Sequence, residues 1–273
     1  MARQWLFVSL YGGADAPPGL PAVVPRAARL VRAKDPGACF FFSRADDDPA
    51  GRSVDLWIDA RPGTRREAAQ LLRGAPESGW RLSAERLVER PVGHPHESER
   101  DVHDELASVA SEFALTVRPD GTPPAPQEAY GLAVAHLRGL ARLTAPAGRA
   151  GFLFQCWERW SARLTAGRRV ELAVEAELRE ADVPEEPTEA PTPFEDAFGE
   201  ALEAYLHGTR QAVRRQRPGC GLPEHYLLFA QSASAHDRLG IPAGVSAAAA
   251  LAVRGELVRR PSRVPAATAG ERG

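Results

Sequence analysis

Short apolar runs that end at turn-forming residues open the chain. Residues 4–11 end at Gly12-Gly13, and the runs near 38–44 and 54–60 flank an acidic turn, so each predicts a β-strand. Trp80–Val88 predicts another strand. A later run, Tyr226–Phe229, breaks abruptly into polar residues and predicts a strand over 222–230.

Elsewhere apolar residues recur at helical spacing. The period predicts helices over Val24–Ala33 and Thr64–Arg73, through most of Asp101–Arg179, and over Phe194–Val213 and Ala247–Val258. Together these elements favour an α+β fold, in which a mixed, mainly antiparallel sheet of segments 4–11, 38–44, 54–60 and 222–230 is backed by about six helices. Tyr205 lies on the buried stripe of its helix, and we expect it near the C-terminal strand.

Composition shifts divide the chain. We expect one catalytic domain over residues 1–257, built from strands and a hairpin (1–90), a helical middle (100–180), an acidic Pro-rich loop (182–193) and a helix-strand-helix unit (194–257). Residues 258–273 have the composition of a disordered tail.

The charge balance narrows the function. With 34 Lys and Arg against 36 Asp and Glu, the formal net charge is -2, which gives no global attraction to nucleic acid or to an anionic membrane. The opening apolar run is short and no small-residue cleavage site follows it, so we expect a cytoplasmic protein. Cys39, Cys156 and Cys220 are far apart, which fits a reducing compartment.

Neither a metal nor a cofactor is predicted. Glycine-rich nucleotide loops, a Gly-x-Ser-x-Gly elbow and a His-Glu-x-x-His motif are missing from the sequence. The acidic turn Asp46–Asp48 is interpreted as solvated rather than as a calcium loop. The pair His94 and His96 is interrupted by proline and is interpreted as a surface loop.

The C-terminal polar stretch holds most of the candidate chemistry. Acids, bases and hydroxyls crowd together after the apolar run, and two interpretations stay open from the residues alone. In the first interpretation these groups form a catalytic site. In the second they are structural: Asp237 caps a turn, Arg238 pairs with an acid and the serines satisfy backbone groups. The candidates are Tyr226, Gln231, Ser232, Ser234, His236 and Arg238.

A second candidate surface lies in the helical middle. Trp157 and Trp160 neighbour Arg159 and Arg163, a mixture that suits either a groove for a peptide or core aromatics beside a solvated charged face.

Three short motifs resemble one known family. The opening WLFVSLYGG, then FFFSRADD followed by a strand, and a C-terminal HDRLGI before a final helix are similar to the elimination domain of lantibiotic dehydratases, and in particular to the stand-alone members encoded with thiopeptide antibiotics. Arg44 matches the family's first arginine, and Asp237-Arg238-Leu239 matches its Asn-Arg-Leu. The resemblance covers the chain ends better than the middle.

The departures from the family's motifs are informative. The family's His-Leu-Arg-Leu-Arg is replaced by Ser53–Trp57, and its catalytic histidine falls on Ser232–Ser234. Elimination of glutamate from a glutamylated Ser needs that histidine and those arginines. The resemblance therefore points to the pyridine synthases, which have lost them.

The resemblance implies a formal (4+2) cycloaddition between two dehydroalanines of a leader-bearing precursor peptide, with loss of water and of the leader to give a pyridine-centred macrocycle. In that reaction, Tyr205 and Ser232 or Ser234 would donate hydrogen bonds that favour the iminol form of an amide, and His236 or Tyr226 would move a proton. Arg44 and Arg238, with Trp57 and Gln231, would bind substrate.

The precursor peptide is thus the expected partner, and Trp157, Arg159, Trp160 and Arg163 are expected to bind its leader. Two alternatives remain: an escort protein that binds the precursor without catalysis, and an elimination enzyme that releases glutamate from glutamylated Ser or Thr. The oligomeric state is left open.

Overall fold

The structure is a computed structural model of the chain. It describes residues 3–13, 15–45, 51–74, 79–90, 97–181, 193–215 and 221–259. Four strands and a series of α-helices lie within these ranges. In chain order they are β1 (Arg3–Gly12), α1 (Val23–Lys34), β2 (Cys39–Ala45), β3 (Arg52–Asp59), α2 (Pro62–Arg73), β4 (Trp80–Arg90), α3 (Glu97–Val117), α4 (Pro126–Leu143), α5 (Arg149–Ser161), α6 (Ala166–Ala181), α7 (Pro193–Arg214), α8 (Glu224–Leu239) and α9 (Ala243–Arg259).

The strands form one sheet in the order β2-β3-β1-β4. Each neighbouring pair among them is antiparallel. The predictions of strands near 4–11, 38–44, 54–60 and 80–88 are confirmed, as is the α+β fold with a mainly antiparallel sheet.

The two faces of the sheet differ because side chains alternate along each strand. One face carries aliphatic residues such as Val8, Leu56 and Ile58, which are fully buried and belong to one continuous core with the buried residues of α1 and α2. The other face carries an aromatic row. Its members are Trp5, Phe7, Phe41 and Trp57.

The strand predicted over 222–230 is wrong, because this segment lies at the start of helix α8. An apolar run as short as Tyr226–Phe229 suits either a strand or a helix. The burial pattern is that of a helix with one buried side: Leu227 and Leu228 are buried, whereas Tyr226 is 45% exposed. The helix starts after Pro223 and ends at Gly240, whose left-handed backbone (φ 72°) closes it.

The predicted helices are confirmed, and several of them pack around α8. This helix contacts α3, α4, α5 and α7 and also the edge strand β2, while α9 contacts α4, α5 and α6. Tyr205, on α7, therefore lies beside a helix instead of the expected C-terminal strand.

Several expectations fall outside the described residues: the acidic turn Asp46–Asp48, the pair His94 and His96, most of the loop 182–193, and the tail from residue 260 onward. Residues 258 and 259 were assigned to that tail, but α9 continues through Arg259. None of the helices in the described ranges combines the length and the apolar character that a membrane span requires.

Candidate active site

Helix α8 presents candidate residues on two opposite sides. Ser234 and Arg238 are one turn apart and share a side, whereas His236 is rotated from both by about 160° around the helix axis. The first side faces β2 and α3, and the second faces α4, α5 and α9. The helix thus separates two polar clusters.

On the second side, a hydrogen-bonded chain crosses three helices. The Nδ1 atom of His236 lies 2.8 Å from the hydroxyl of Ser246 in the first turn of α9. Its Nε2 atom lies 3.1 Å from Nδ1 of His136 on α4. The Trp160 ring of α5 stacks on the His236 ring, with centroids 4.7 Å apart and planes 8° apart. His136, His236 and Ser246 are all fully buried.

Burial holds both imidazoles in the neutral form. It lowers the pKa of His136 to about 3. The pKa of His236 is lowered well below its usual value, first by burial and then by the neighbouring His136. Two neutral imidazoles bond to one another only when one ring donates and the other accepts, so the protons of the chain are ordered.

Tyr205 lies next to this chain. Its ring is 5.0 Å from that of His136 and 4.7 Å from that of Phe113. Thr209 and Gln231 are beside its hydroxyl, yet among the described residues no group meets the geometry of a hydrogen bond to that hydroxyl. Burial raises the pKa of Tyr205 well above its ordinary value and outweighs these neighbours. Tyr205 is therefore a neutral, buried hydroxyl.

Ser232 and Gln231 are occupied by structural bonds. The Ser232 hydroxyl donates to the carbonyl oxygen of Phe229 at 2.7 Å and lies 3.4 Å from the sulfur of Cys156. Burial raises the pKa of that thiol to about 12. Gln231 donates to the carbonyl oxygen of Leu106 on α3. Both residues match the structural interpretation, in which side chains of α8 satisfy backbone groups.

The other side of α8 forms a junction with β2 and α3, which we call the β2–α8 junction (Arg44, Ser111, Ser234 and Arg238). Arg238 donates from Nε to the Ser111 hydroxyl at 2.9 Å. It also donates from a terminal nitrogen to the hydroxyl of Ser234 and, at 3.0 Å, to the carbonyl oxygen of that residue. Burial lowers the pKa of Arg238 to about 10, against the effect of Asp237, so the guanidinium stays charged at neutral pH.

Arg44 reaches the same junction from the end of β2. Its guanidinium is so close to Gly240 that a Cβ at this glycine would lie 2.8 Å from a terminal nitrogen of Arg44. Arg44 and Ser234 are half-buried, in contrast to the fully buried Ser232. The junction therefore brings two predicted arginines and one predicted serine together, with Arg44 and Ser234 partly exposed and Arg238 buried.

Trp57 is not part of this junction. It pairs with Phe7 and Phe41 across the sheet and belongs to the aromatic face, with its ring 4.6 Å from that of Phe7. Arg44 is paired with the core residue Val54, so it projects from the opposite face. The two residues were expected to bind one substrate together, but the sheet separates them.

A groove runs between α5 and the first half of α8. Two adjoining depressions of about 510 and 530 Å³ share Gln155 and His225 and together make up this α5–α8 groove. Phe152, Leu228 and Phe229 supply apolar wall, and Tyr226 and Arg159 stand at one end. The Arg159 guanidinium lies over the Phe229 ring at 5.4 Å.

The residues expected to bind the leader divide between this groove and the core. Arg159 lines the groove and Arg163 is exposed in the turn that follows α5. Trp157 is half-buried. Trp160 is 2% exposed and stacks on His236, so it belongs to the core and not to a binding surface.

Metal ligands do not cluster in the described part of the chain, where no three His, Cys, Asp or Glu side chains come together in a metal-binding arrangement. The histidine pair bonds ring to ring instead.

Sequence reasoning missed His136, Ser246 and Ser111. His136 occurs in a helical stripe between Ala133 and Leu140, where spacing predicts a core position, and a polar residue at such a position needs a partner. That signal was present in the sequence. Its partner, 100 residues away, was not predictable.

Comparisons by sequence give no relative: no family model and no curated protein matches the chain. Comparison of folds is informative. The chain shares its α+β fold with a lantibiotic dehydratase and with a pyridine synthase, and this confirms the predicted resemblance at the level of the fold.

One of these structures is the tRNA-dependent lantibiotic dehydratase MibB from Microbispora sp. 107891, with a TM-score of 0.55 and 15% identity over 93% of this chain. This chain spans 28% of the length of that enzyme. The other is the pyridine synthase TbtD from thiomuracin biosynthesis, with a TM-score of 0.55 and 16% identity. Here the match covers 92% of this chain and 96% of the synthase.

Proposed function

We propose that this protein is an enzyme of thiopeptide biosynthesis that joins two dehydroalanines of a modified precursor peptide in a formal (4+2) cycloaddition. The observation that carries the proposal is the extent of the match. The fold of a pyridine synthase corresponds to nearly the whole of both chains, whereas the same fold makes up a small part of the dehydratase.

The chemistry asks mainly for positioning. One dehydroalanine and the preceding amide, in its iminol form, supply four atoms of the new ring, and the second dehydroalanine supplies two. Two carbon–carbon bonds form, and loss of water and then of the leader as its amide leaves an aromatic pyridine. Holding the two remote residues together accounts for several kcal/mol of the barrier, and hydrogen bonds to the amide assist the rest.

The Ser234–Arg238 pair suits this demand. The Ser234 oxygen accepts a hydrogen bond from the guanidinium of Arg238, so its own O–H is left to donate to a substrate carbonyl. The positive charge polarises that O–H and strengthens it as a donor. Arg44, at the same junction, is placed to bind a backbone carbonyl or an acidic side chain.

The buried candidates then take indirect roles. Tyr205, Ser232 and His236 are at most 2% exposed. They hold α8 in place through contacts with the surrounding helices instead of contacting the substrate. Tyr226, in contrast, stands on the surface in the α5–α8 groove, where it would contact the leader together with Arg159.

The test uses a synthetic leader-linked peptide with two dehydroalanines and mass spectrometry for loss of water and leader amide. Ser234→Ala should lower turnover by roughly tenfold to a hundredfold, the effect of removing one donor from a transition state, while peptide binding is kept. Ser83→Ala, at an exposed position of β4, is the matched control. Equal turnover in the two variants would remove Ser234 from the mechanism.

An escort function is the second candidate, because so many of the expected catalytic groups are buried. It predicts a stoichiometric complex of the wild-type protein with the precursor and no cyclised product. Glutamate elimination is less favoured, because Asp55 and Trp57 stand where the resemblance has arginines. Its mark would be free glutamate released from a glutamylated peptide.

A further inference from the structure

We infer that Ser246, His236 and His136 form a hydrogen-bonded lock that fixes the rotation of α8 and thereby positions the Ser234–Arg238 pair. The lock is held at neutral pH and is opened by acid. Its effect on turnover rests on the proposed function, whereas the lock itself can be measured without any substrate.

The contacts of His236 fix the rotation of α8 about its own axis. His236 is two residues from both Ser234 and Arg238, on the opposite side of the helix. Three contacts hold its ring from three other helices: Ser246 of α9 at 2.8 Å, His136 of α4 at 3.1 Å and the stacked face of Trp160 of α5. A rotation of α8 that moved Ser234 toward or away from a substrate would break all three contacts. The hydrogen-bonded chain therefore sets how Ser234 is presented.

Proton ordering makes the lock specific. When the Ser246 hydroxyl donates to Nδ1 of His236, the Nε2–H of His236 donates to Nδ1 of His136; the reverse order makes the same two bonds. One added proton brings a charge into a fully buried site. A second added proton would set two N–H groups against each other across 3.1 Å, which removes the bond between the rings.

The surroundings offer little compensation for such a charge. Tyr205 from α7 and Cys156 from α5 are neutral, because burial raises the pKa of both. Phe113 of α3 stacks on His136 at 5.8 Å and is apolar. On α8 itself, Arg238 is cationic and Asp237 is exposed. Within the described residues, His136 is the titratable neighbour that shifts the pKa of His236, and it lowers that pKa, so it opposes protonation of His236.

The NMR experiment needs no substrate. In protein labelled with nitrogen-15 at histidine, the two buried imidazoles should each show one protonated and one unprotonated nitrogen at pH 7. They should not titrate with the profile of free histidine measured in the same buffer. An imidazole of either residue that titrates like free histidine while the fold is intact would overturn the lock.

Two variants separate positioning from general stability. His136→Asn places an amide near the position of Nδ1, so it should keep the bond to His236 and remove one titrating group. His136→Leu removes the bond. We expect the Asn variant to retain turnover at neutral pH and to lose less of it in acid than the wild type. The Leu variant should turn over at least roughly tenfold more slowly at unchanged KM, because the Ser234–Arg238 pair would be displaced from the reacting atoms.

Tryptophan fluorescence gives a substrate-free readout of the same variants. The Trp160 contribution, defined as the difference from Trp160→Phe, should change with pH in the wild type, because a protonated imidazole would then stack on its ring. It should be shifted in both His136 variants. A wild-type protein without cyclase activity would refute the proposed function and leave the NMR and fluorescence tests intact. An unchanged fluorescence profile in His136→Leu would refute the lock.

Discussion

The Nε atom of Arg238 lies 2.9 Å from the hydroxyl oxygen of Ser111, so a buried, charge-assisted hydrogen bond joins α8 to α3. The same hydroxyl accepts the backbone N–H of Phe42 at 3.1 Å and donates to the carbonyl oxygen of Ala107 at 2.8 Å. One serine therefore ties the sheet, α3 and α8 together behind the proposed Ser234–Arg238 donor pair.

Loss of this hydroxyl should be costly. Ser111→Ala leaves a buried guanidinium N–H and the Phe42 N–H without their acceptor, and we expect the free energy of unfolding to fall by about 2–4 kcal/mol. Urea denaturation measures the change. Ser108→Ala is the matched control on the same helix, because the half-buried Ser108 hydroxyl donates one hydrogen bond, to the Phe40 carbonyl, and no buried charge depends on it within the described residues. Equal losses in the two variants would show that Ser111 has no special part in the junction.

Gly240 should resist substitution. Its φ of 72° is a left-handed conformation, and an added Cβ would press against Arg44. We expect Gly240→Ala to lower the free energy of unfolding by about 1–2 kcal/mol. Gly244→Ala, in the first turn of α9 with its Cβ 4.0 Å from the nearest atom, should be neutral or stabilising. Thermal unfolding of the pair distinguishes backbone strain from a general intolerance of alanine.

Acid should destabilise the protein through the buried imidazoles. Both have a lowered pKa in the folded state, so the unfolded chain binds more protons, and stability is complete above the ordinary histidine pKa and is lost as pH falls below it. Between pH 7 and pH 5, His136 alone should remove about 2 kcal/mol from the free energy of unfolding.

Urea titrations at the two pH values test this. His136→Asn should show a smaller acid loss than the wild type, by about the contribution of one histidine. His225→Asn, at an exposed position of α8, should reproduce the wild-type loss. An acid loss of the same size in all three proteins would assign it to other groups.

The α5–α8 groove makes a prediction about the leader. Arg159→Ala removes both the cation over Phe229 and the proposed partner of an acidic leader side chain. The dissociation constant of a labelled leader peptide should therefore rise by roughly fivefold to tenfold, about 1 kcal/mol. Fluorescence anisotropy measures it. Arg142→Ala, at an exposed position of α4 outside the groove lining, is the control. Weakening by Arg142→Ala alone would place the leader elsewhere.

Local patterns predicted most of the fold. The strands near 4–11, 38–44 and 54–60 and the long helix α7 follow directly from spacing and turn residues. Segment 222–230 failed because four apolar residues in a row carry no period. The buried set that follows them, Gln231, Ser232, Ala235 and Leu239, has helical spacing, but its polar members concealed the core face of α8.

The candidate site was predictable only in part for a related reason. Polarity singled out Ser234, His236 and Arg238, yet it does not tell which side of a helix each residue takes once the segment is misread as a strand. Arg44 and Trp57 illustrate the same limit across the sheet, since they are placed on opposite faces by register. Long-range partners such as His136 and Ser111 are set by tertiary packing.

The hydroxyls of α3 also decide how a peptide can approach the sheet. Ser108 donates to the carbonyl oxygen of Phe40 and Ser111 accepts the N–H of Phe42, so two outward backbone groups at the centre of β2 already have side-chain partners. A peptide that extended the sheet as an additional strand at this edge would have to displace these two bonds and the helix α3 that packs against β2. Strand addition at β2 is therefore disfavoured, and a substrate at the proposed site in the β2–α8 junction would be held by separate hydrogen bonds to its amides and side chains.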